Sequence, residues 1–394
     1  MLRVDTLSEA CFSHILEHWK WLHAHPELSG QEEQTAAYVA RQLRGLGLDP
    51  VEGVGGFGVT ALIQGAKPGK CLALRADMDA LPITENTGLP FSSTNPGVMH
   101  ACGHDAHTAM LLGVAEILVS LREELPGSVK LIFQPSEETA DNSGAKRMVA
   151  DGALENPHVD AIIGQHVNAN RNVGTITVRS GPVSAASDRF FITISGKSCH
   201  AARPDDGVDA IVAGAQVITA LQTIVSRNVS PLDSCVVTIG KVSGGTRYNV
   251  VADSFEIEGT CRTLNPAVRD RMPETMERIV KGIAESAGAG YSFRYAKGYS
   301  PVINHPEMCR LIRDTVIELT GSEDSVLTGL PSLGGEDFCF YAEQVPAVFY
   351  RVGCATPDAP FWPQHNEHFV PNEQALKQGA QVMLAAALRF LHRD

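Results

Sequence analysis

The sequence predicts an α/β protein with a mixed central sheet, interrupted by a smaller inserted α+β domain of ferredoxin-like order. Three observations predict it. Helix-like and strand-like stretches alternate over residues 1–183, a strand, helix, strand, strand, helix, strand order fills residues 184–302, and the first style returns over residues 303–394. Alternation implies layered α/β architecture, and the middle order is that of a small sandwich with its helices on one sheet face. A chain of 394 residues is also longer than one core usually grows, which favours two domains.

The elements follow in order. Apolar residues recur at helical spacing over residues 7–22 and 32–46, and the apolar runs 59–63 and 71–74 read as buried strands. A helical stretch over 106–121 precedes the run 129–133, stopped by Pro135, and the run 161–164, which stops before His166. In the insert, strands are expected over 190–194, 236–242, 255–260 and 291–295, with helices over 208–225 and 268–287. Beyond Pro301 the chain predicts a helix over 308–319, a strand over 347–352 and a final helix over 373–391. Glycines at 53–58, 244–245 and 334–335 mark turns.

Composition narrows the function. Apolar residues at 44% and charged residues at 20% are the proportions of a folded globular protein. A net charge of −13 without a basic run repels phosphate backbones and argues against nucleic acid as a partner. No apolar run reaches membrane-spanning length, and residues 1–14 lack the continuous apolar core of a signal peptide. The nine cysteines, an odd number without C-x-x-C spacing, suit free thiols in a reducing cytoplasm.

The densest chemical cluster is His100-Ala101-Cys102-Gly103-His104-Asp105-Ala106-His107, just before a predicted helix. Thiolate and imidazole are preferred ligands of zinc and other late divalent ions. If this segment is extended, Cys102 and His104 share a face. Next comes Gln134-Pro135-Ser136-Glu137-Glu138, at a strand end where open α/β sheets place their ligands. Alone, such a glutamate pair is usually solvated surface. Beside a metal, one carboxylate can ligate while the other accepts a proton from water. His166 follows an apolar run, and His365 lies in Pro363-Gln364-His365-Asn366. Together Cys102, His104, Glu138, His166 and His365 form a mixed nitrogen, sulfur and oxygen set suited to two divalent metal ions, for which zinc, manganese, nickel and cobalt all qualify. Five side chains cannot separately fill two four-coordinate spheres, so a bridging carboxylate, thiolate or hydroxide is expected.

Further motifs are His25-Pro26-Glu27-Leu28, Leu74-Arg75-Ala76-Asp77-Met78-Asp79-Ala80-Leu81-Pro82, Cys199-His200-Ala201-Ala202-Arg203-Pro204, Gly244-Gly245-Thr246 and Gly335-Glu336-Asp337-Phe338. With them the chain resembles, nearly end to end, the aminoacylase and hippurate hydrolase group of metallopeptidases. That group also holds indole-acetyl-amino-acid hydrolases and N-acetyl-diaminopimelate deacetylases. The resemblance implies a metal-dependent amidohydrolase that cleaves N-acyl amino acids, with the five residues above as ligands and Glu137 as general base and later proton donor. It also implies that Asp79 and Asp105 orient histidine ligands. In the inserted domain, a lid in that group, it assigns His200 to the polarised carbonyl oxygen, Asn249 to the substrate and Arg262 to the substrate carboxylate. A homodimer or higher homo-oligomer is implied as well.

The chain departs from that pattern at Ser198-Cys199, Asp205-Asp206, Asn168-Ala169-Asn170 and Glu367. None of these removes a ligand, and all bear on the substrate pocket. The histidines His23, His25, His100, His107, His305 and His368 are expected to be structural or solvent-facing. Two alternatives stay open: a deacetylase or dipeptidase of narrow substrate range, and a catalytically silent binding protein on the same fold.

Overall fold

The computed structural model describes residues 2–393. In chain order the elements are α1 (Leu2–Ala24), α2 (Glu33–Gly45), β1 (Val51–Val54), β2 (Gly58–Gln64), β3 (Lys67–Asp77), α3 (His104–Ser120), β4 (Pro126–Gln134), α4 (Gly144–Ala150), β5 (Ala161–Asn172), β6 (Ile176–Thr177) and β7 (Gly181–Pro182). Then follow β8 (Ala186–Ser195), α5 (Ala210–Leu221), β9 (Cys235–Gly244), β10 (Ser254–Thr263), α6 (Pro266–Ser286), β11 (Gly290–Tyr299) and β12 (Ile303–Asn304). The chain closes with α7 (Pro306–Thr320), β13 (Val326–Leu327), α8 (Cys339–Ala342), β14 (Ala347–Ala355) and α9 (Glu373–Leu391).

The chain divides into two compact units. The first comprises residues 1–181, 303–330 and 337–394, and the second comprises residues 182–302 and 331–336. The short return segment belongs to the second unit because its backbone bonds there: Ser332 N–H donates to Val183 O and Gly334 O accepts from Ala185 N–H. Reading the chain by style put this segment in the first unit, since six residues without periodicity carry no pattern.

The first unit is built on an eight-stranded mixed sheet of order β1-β2-β4-β3-β5-β14-β6-β13. Its centre, β4-β3-β5-β14, is parallel throughout, so the carboxyl ends of these four strands leave the sheet on one edge. Their burial on both faces explains why they read as apolar runs instead of alternating patterns. Helix α3 is buried nearly all round, as a helix apolar on every face must be. It packs against α1 and α9. Gly113 permits the approach of α1, because a Cβ there would lie 2.3 Å from Ile15 Cγ1.

The second unit has a four-stranded antiparallel sheet of order β11-β8-β10-β9, which is the ferredoxin-like arrangement for its chain order. Its apolar core is filled from α5 and α6 by residues such as Val217, Leu221, Met276 and Val280. One buried charge pair supports it. Asp188 accepts from Arg269 Nε at 3.0 Å and Nη2 at 2.7 Å, from Tyr295 Oη at 2.9 Å and from Gly298 N–H at 2.9 Å.

Two expectations differ from the structure. β5 does not stop before His166 but runs on to Asn172, because pairing with β14 (His166 opposite Arg351) continues after the apolar residues give way to asparagines. The helix expected over 208–225 ends at Leu221 and is followed by a π-turn, Ile224–Asn228. The elements with no sequence signal, β1, β6, β7, β12, β13, α4 and α8, are shorter than two helical turns or hold four residues or fewer, below the window in which periodicity can be read.

Asp188→Ala should destabilise the protein by about 3–5 kcal/mol, since it leaves the Arg269 guanidinium buried without its carboxylate. The check is a urea titration. An unchanged midpoint would count against this pair as a support of the second unit.

Candidate metal centre

The donors come from five segments of the first unit. Cys102 closes the loop before α3, His104 opens α3, Glu138 follows β4, His166 projects from β5, and His365 lies in the loop between β14 and α9. The structure brings all five together in two sets that share the thiol. Cys102, His104 and His166 offer ligand atoms within 4.8 Å of one another, as do Cys102, Glu138 and His365; His104, Glu137 and Glu138 make a third such set. Cys102 and His104 do not meet through alternation along an extended segment, as their spacing suggested. Gly103 between them is left-handed, with φ 91°, and a Cβ there would lie 2.5 Å from Val167 Cγ2. A tight turn reserved for glycine turns both side chains inward.

The orientation of each imidazole suits a cation. His104 Nδ1 stands 2.9 Å from the Asp79 carbonyl oxygen and 3.2 Å from Asp79 Oδ1, both acceptors, so Nδ1 carries a proton and a cation displacing the other proton would find the Nε2 lone pair. That Nε2 is buried without a hydrogen-bond partner, and the buried Glu138 Oε1 has only an ion-pair contact with His365. His166 repeats the pattern, with Nδ1 2.8 Å from Val167 O and Nε2 3.4 Å from Cys102 Sγ. Buried polar atoms left without partners are costly, and a divalent ion would satisfy these. His365 has φ 65° and is fixed by its N–H to Ala101 O, 2.8 Å. Its Nε2 lies 3.1 Å from Glu138 Oε1.

The electrostatics agree with this fit. Burial, then the nearby Glu138, pushes the Cys102 thiol up. Cys102 and then Glu138 raise His365 to about 10. Burial opposes charge on His104, but Asp77 and Cys102 outweigh it and hold its pKa well above the ordinary imidazole value. His166 goes the other way: burial, then His107, keeps it well below that value and therefore neutral. Negative groups concentrated here retain protons that a bound cation would displace.

Asp79 ties two donors together. Besides His104, its Oδ2 accepts from Glu138 N–H at 3.0 Å and Ser29 Oγ at 2.6 Å. Asp105 does not orient a ligand, contrary to expectation. Its Oδ2 lies 2.7 Å from His23 Nδ1, and His23 Nε2 lies 3.1 Å from Glu85 Oε1, because the first turn of α3 points residue 105 away from its neighbour 104.

Sequence reasoning missed a buried layer behind the donors. The Arg75 guanidinium donates to Gln134 Oε1 (2.8 Å), Asp77 Oδ2 (2.6 Å) and Asp337 Oδ1 (3.1 Å). Asp77 Oδ1 is 2.6 Å from His107 Nδ1, and His107 Nε2 accepts from Val167 N–H at 2.9 Å. Gln364 Nε2 reaches Val167 O at 3.1 Å. Arg75, Asp77 and Asp337 stood inside motifs already noted, but nothing in their spacing shows that they face one another.

His200, Asn249 and Arg262 belong to the second unit. His200 and Asn249 lie on adjoining segments, joined by Ala201 N–H to Asn249 O at 3.1 Å. His200 is exposed, and its Nδ1 accepts from Ala202 N–H at 3.0 Å, which leaves Nε2–H free to donate. Asn249 Oδ1 is buried without a hydrogen-bond partner. Arg262 sits on β10, in register with Ser187 and Val236.

Two outcomes follow. Cys102→Ala removes the one donor common to both sets, so metal affinity should fall roughly 10–100-fold or more; elemental analysis of purified protein with undiminished metal content would remove Cys102 from the set. The His23 cluster sets a pH dependence. Burial opposes its charge, but Asp105 and Glu85 raise its pKa from 6.5 to about 9. Glu85, despite burial, is lowered from 4.5 to about 2 by His23, Thr87 and Ser93. The contribution of His23 is complete below pH 6.5 and lost as pH rises through 9, while that of Glu85 is complete above pH 4.5 and lost as pH falls through 2. The urea midpoint of wild type relative to Glu85→Gln should therefore be greatest between pH 4.5 and 6.5 and shrink toward pH 9. A difference that grows over the alkaline interval contradicts the assignment.

Comparison with known proteins gives the chain a lineage. The model of peptidase family M20/M25/M40 matches residues 73–389. An N-acyl-L-amino acid amidohydrolase of Geobacillus stearothermophilus is 49% identical over 286 residues, 73% of this chain and 76% of the relative. An N-acetyl-L-cysteine deacetylase of Bacillus subtilis is 40% identical over 370 residues, 94% of this chain and 86% of the relative. Among solved structures, a dinuclear metal binding peptidase of the M20 family from Bacillus subtilis aligns with TM-score 0.85 and 36% identity over 97% of this chain and 99% of its own. With a matching family model and full-length relatives, the chain belongs to peptidase family M20/M25/M40.

Proposed function

We propose that this chain uses two divalent cations to hydrolyse the amide bond of an N-acyl amino acid, releasing a carboxylic acid and the free amino acid. The observation that carries the proposal is Cys102 standing in two donor sets at once, with the buried Glu137 beside them. In this reading Cys102, His104 and His166 would hold one ion and Cys102, Glu138 and His365 the other, with Cys102 common to both sets and the remaining positions left for water and substrate. The substrate class is supported by the amidohydrolase and the deacetylase among the relatives.

When bound, such ions supply Lewis-acid polarisation of the carbonyl and acidification of a water. Glu137 takes the proton from the attacking water and passes it to the amide nitrogen as that bond breaks. His200 donates Nε2–H to the carbonyl oxygen as charge builds on it, a contact whose loss costs on the order of 10²–10³ in rate. Asn249 and Arg262 bind the substrate, Arg262 through the free carboxylate, and Asp79 keeps His104 in its ligating orientation.

The second unit serves as lid and dimerisation domain. Exposed Ile211 and Val212 on α5 and Val242 on the edge strand β9 support a homodimer through that face. Zinc, manganese, nickel and cobalt all suit the donor set. Nine cysteines without a disulfide support a cytoplasmic setting.

Glu137→Gln should keep its metal while turnover falls by about 10²–10⁴, since the amide preserves shape but accepts no proton. Turnover near wild type would refute the base. Metal-reconstituted protein should cleave N-acetyl or N-benzoyl amino acids in a chelator-sensitive way and dipeptides more slowly. Preference for dipeptides would make it a peptidase instead, and absence of any hydrolysis would make it a binding protein.

A further inference from the structure

The loop between α1 and α2 carries the His25-Pro26-Glu27-Leu28 motif, to which the proposed chemistry assigns nothing. The structure lays this loop along the donor-bearing edge of the sheet. Ala80 N–H donates to Glu27 O at 2.8 Å, and Leu28 forms a parallel bridge with Ala80. The Glu27 carboxylate caps α2, accepting from Gln34 N–H at 3.1 Å and Thr35 N–H at 2.8 Å. Anchored at both points, the loop aims two side chains at the site: Ser29 at Asp79, and Glu32 at Ser136.

Ser136 immediately precedes Glu137 and Glu138, and its backbone is left-handed, with φ 53°. This conformation is uncommon for a residue with a Cβ and is strained unless its surroundings hold it. Four contacts do so. Glu32 Oε1 accepts from Ser136 N–H at 2.8 Å and Ser136 Oγ at 3.2 Å, Arg147 Nη2 donates to Ser136 Oγ at 3.3 Å, and Ser136 O accepts from Gly144 N–H at 3.1 Å. Of these, the bond to the backbone N–H constrains φ most directly. Both Glu32 and Ser136 are fully buried, so no water can substitute for that acceptor, and Glu32 Oε2 has no hydrogen-bond partner.

We infer that Glu32 is a positioning residue: it holds Ser136 in the left-handed conformation and thereby sets the direction in which Glu137 and Glu138 leave β4. Asp79 fixes the Glu138 N–H from the other side, so Glu32 and Asp79 clamp the peptide that carries both carboxylates. The inference rests on the metal-binding part of the proposed function.

The test is calorimetric titration of Zn²⁺ or Mn²⁺ into metal-free wild type, Glu32→Ala, Glu32→Gln and the double variant Glu32→Ala with Ser136→Gly, with kcat and KM on an N-acyl amino acid beside it. Glu32→Ala should weaken cation binding ~10–100-fold, the usual cost of losing a group that orients a ligand, and lower kcat more than KM. Glu32→Gln keeps a carbonyl oxygen for the Ser136 N–H and should recover most of the loss. Glycine adopts positive φ without strain, so the double variant should also bind better than Glu32→Ala alone. Wild-type affinity in Glu32→Ala, or no recovery in the double variant, overturns the inference. So does a fall in melting temperature of metal-free Glu32→Ala with cation affinity intact. Wild-type protein that binds cations yet cleaves no acyl amino acid overturns the proposed activity alone, and wild-type protein that binds no cation overturns both.

Discussion

Arg75 is a guanidinium with no exposed atoms, and the geometry of the metal centre depends on what it holds. Its three directions of hydrogen bonding reach Asp77 at the end of its own strand, Gln134 at the end of the neighbouring strand and Asp337 from a segment more than 200 residues away, whose carboxylate also accepts from Ser143 Oγ. A planar fork of fixed donors is suited to this work, since it imposes relative positions as well as attraction. Burial of such a charge is weak evidence for stability, because desolvation offsets most of the gain. Specificity of arrangement is the better explanation here: Asp77 passes the constraint to His107 and so to Val167, beside His166, while Gln134 passes it to the turn carrying Glu137 and Glu138.

The convergence of the five donors follows from topology. Parallel β4, β3, β5 and β14 release their carboxyl ends along one edge, the place where open α/β sheets gather ligands. Each donor is then trimmed by a local device: the glycine turn at 103, left-handed backbone at 136 and 365, and Asp79 reaching both His104 and the Glu138 backbone. Long-range folding supplies the approximate meeting point, and short-range strain and hydrogen bonds supply the last ångström.

Much of this was legible in the sequence, and the pattern of what was not is physical. The long elements showed themselves through periodicity, and the donors through an unusual density of cysteine, histidine and glutamate. His166 could be picked out even though its strand runs eight residues further than its apolar stretch. What escaped was pairing at a distance. Nothing in residues 75, 107 and 337 announces that they share one network, nor does Glu32 announce Ser136, because hydrogen-bond partners remote in sequence leave no period. Asp105 was misread for a related reason: beside His104 in sequence, it is turned by the helix toward His23.

The two donor sets meet at Cys102, which requires one thiolate to serve two cations. Anomalous diffraction at the absorption edge of the added metal, on crystals of reconstituted protein, tests it most directly. Two peaks per chain are expected, both within coordination distance of Cys102 Sγ, one flanked by His104 and His166 and the other by Glu138 and His365. A single peak, or two peaks of which one does not touch that sulfur, would contradict it.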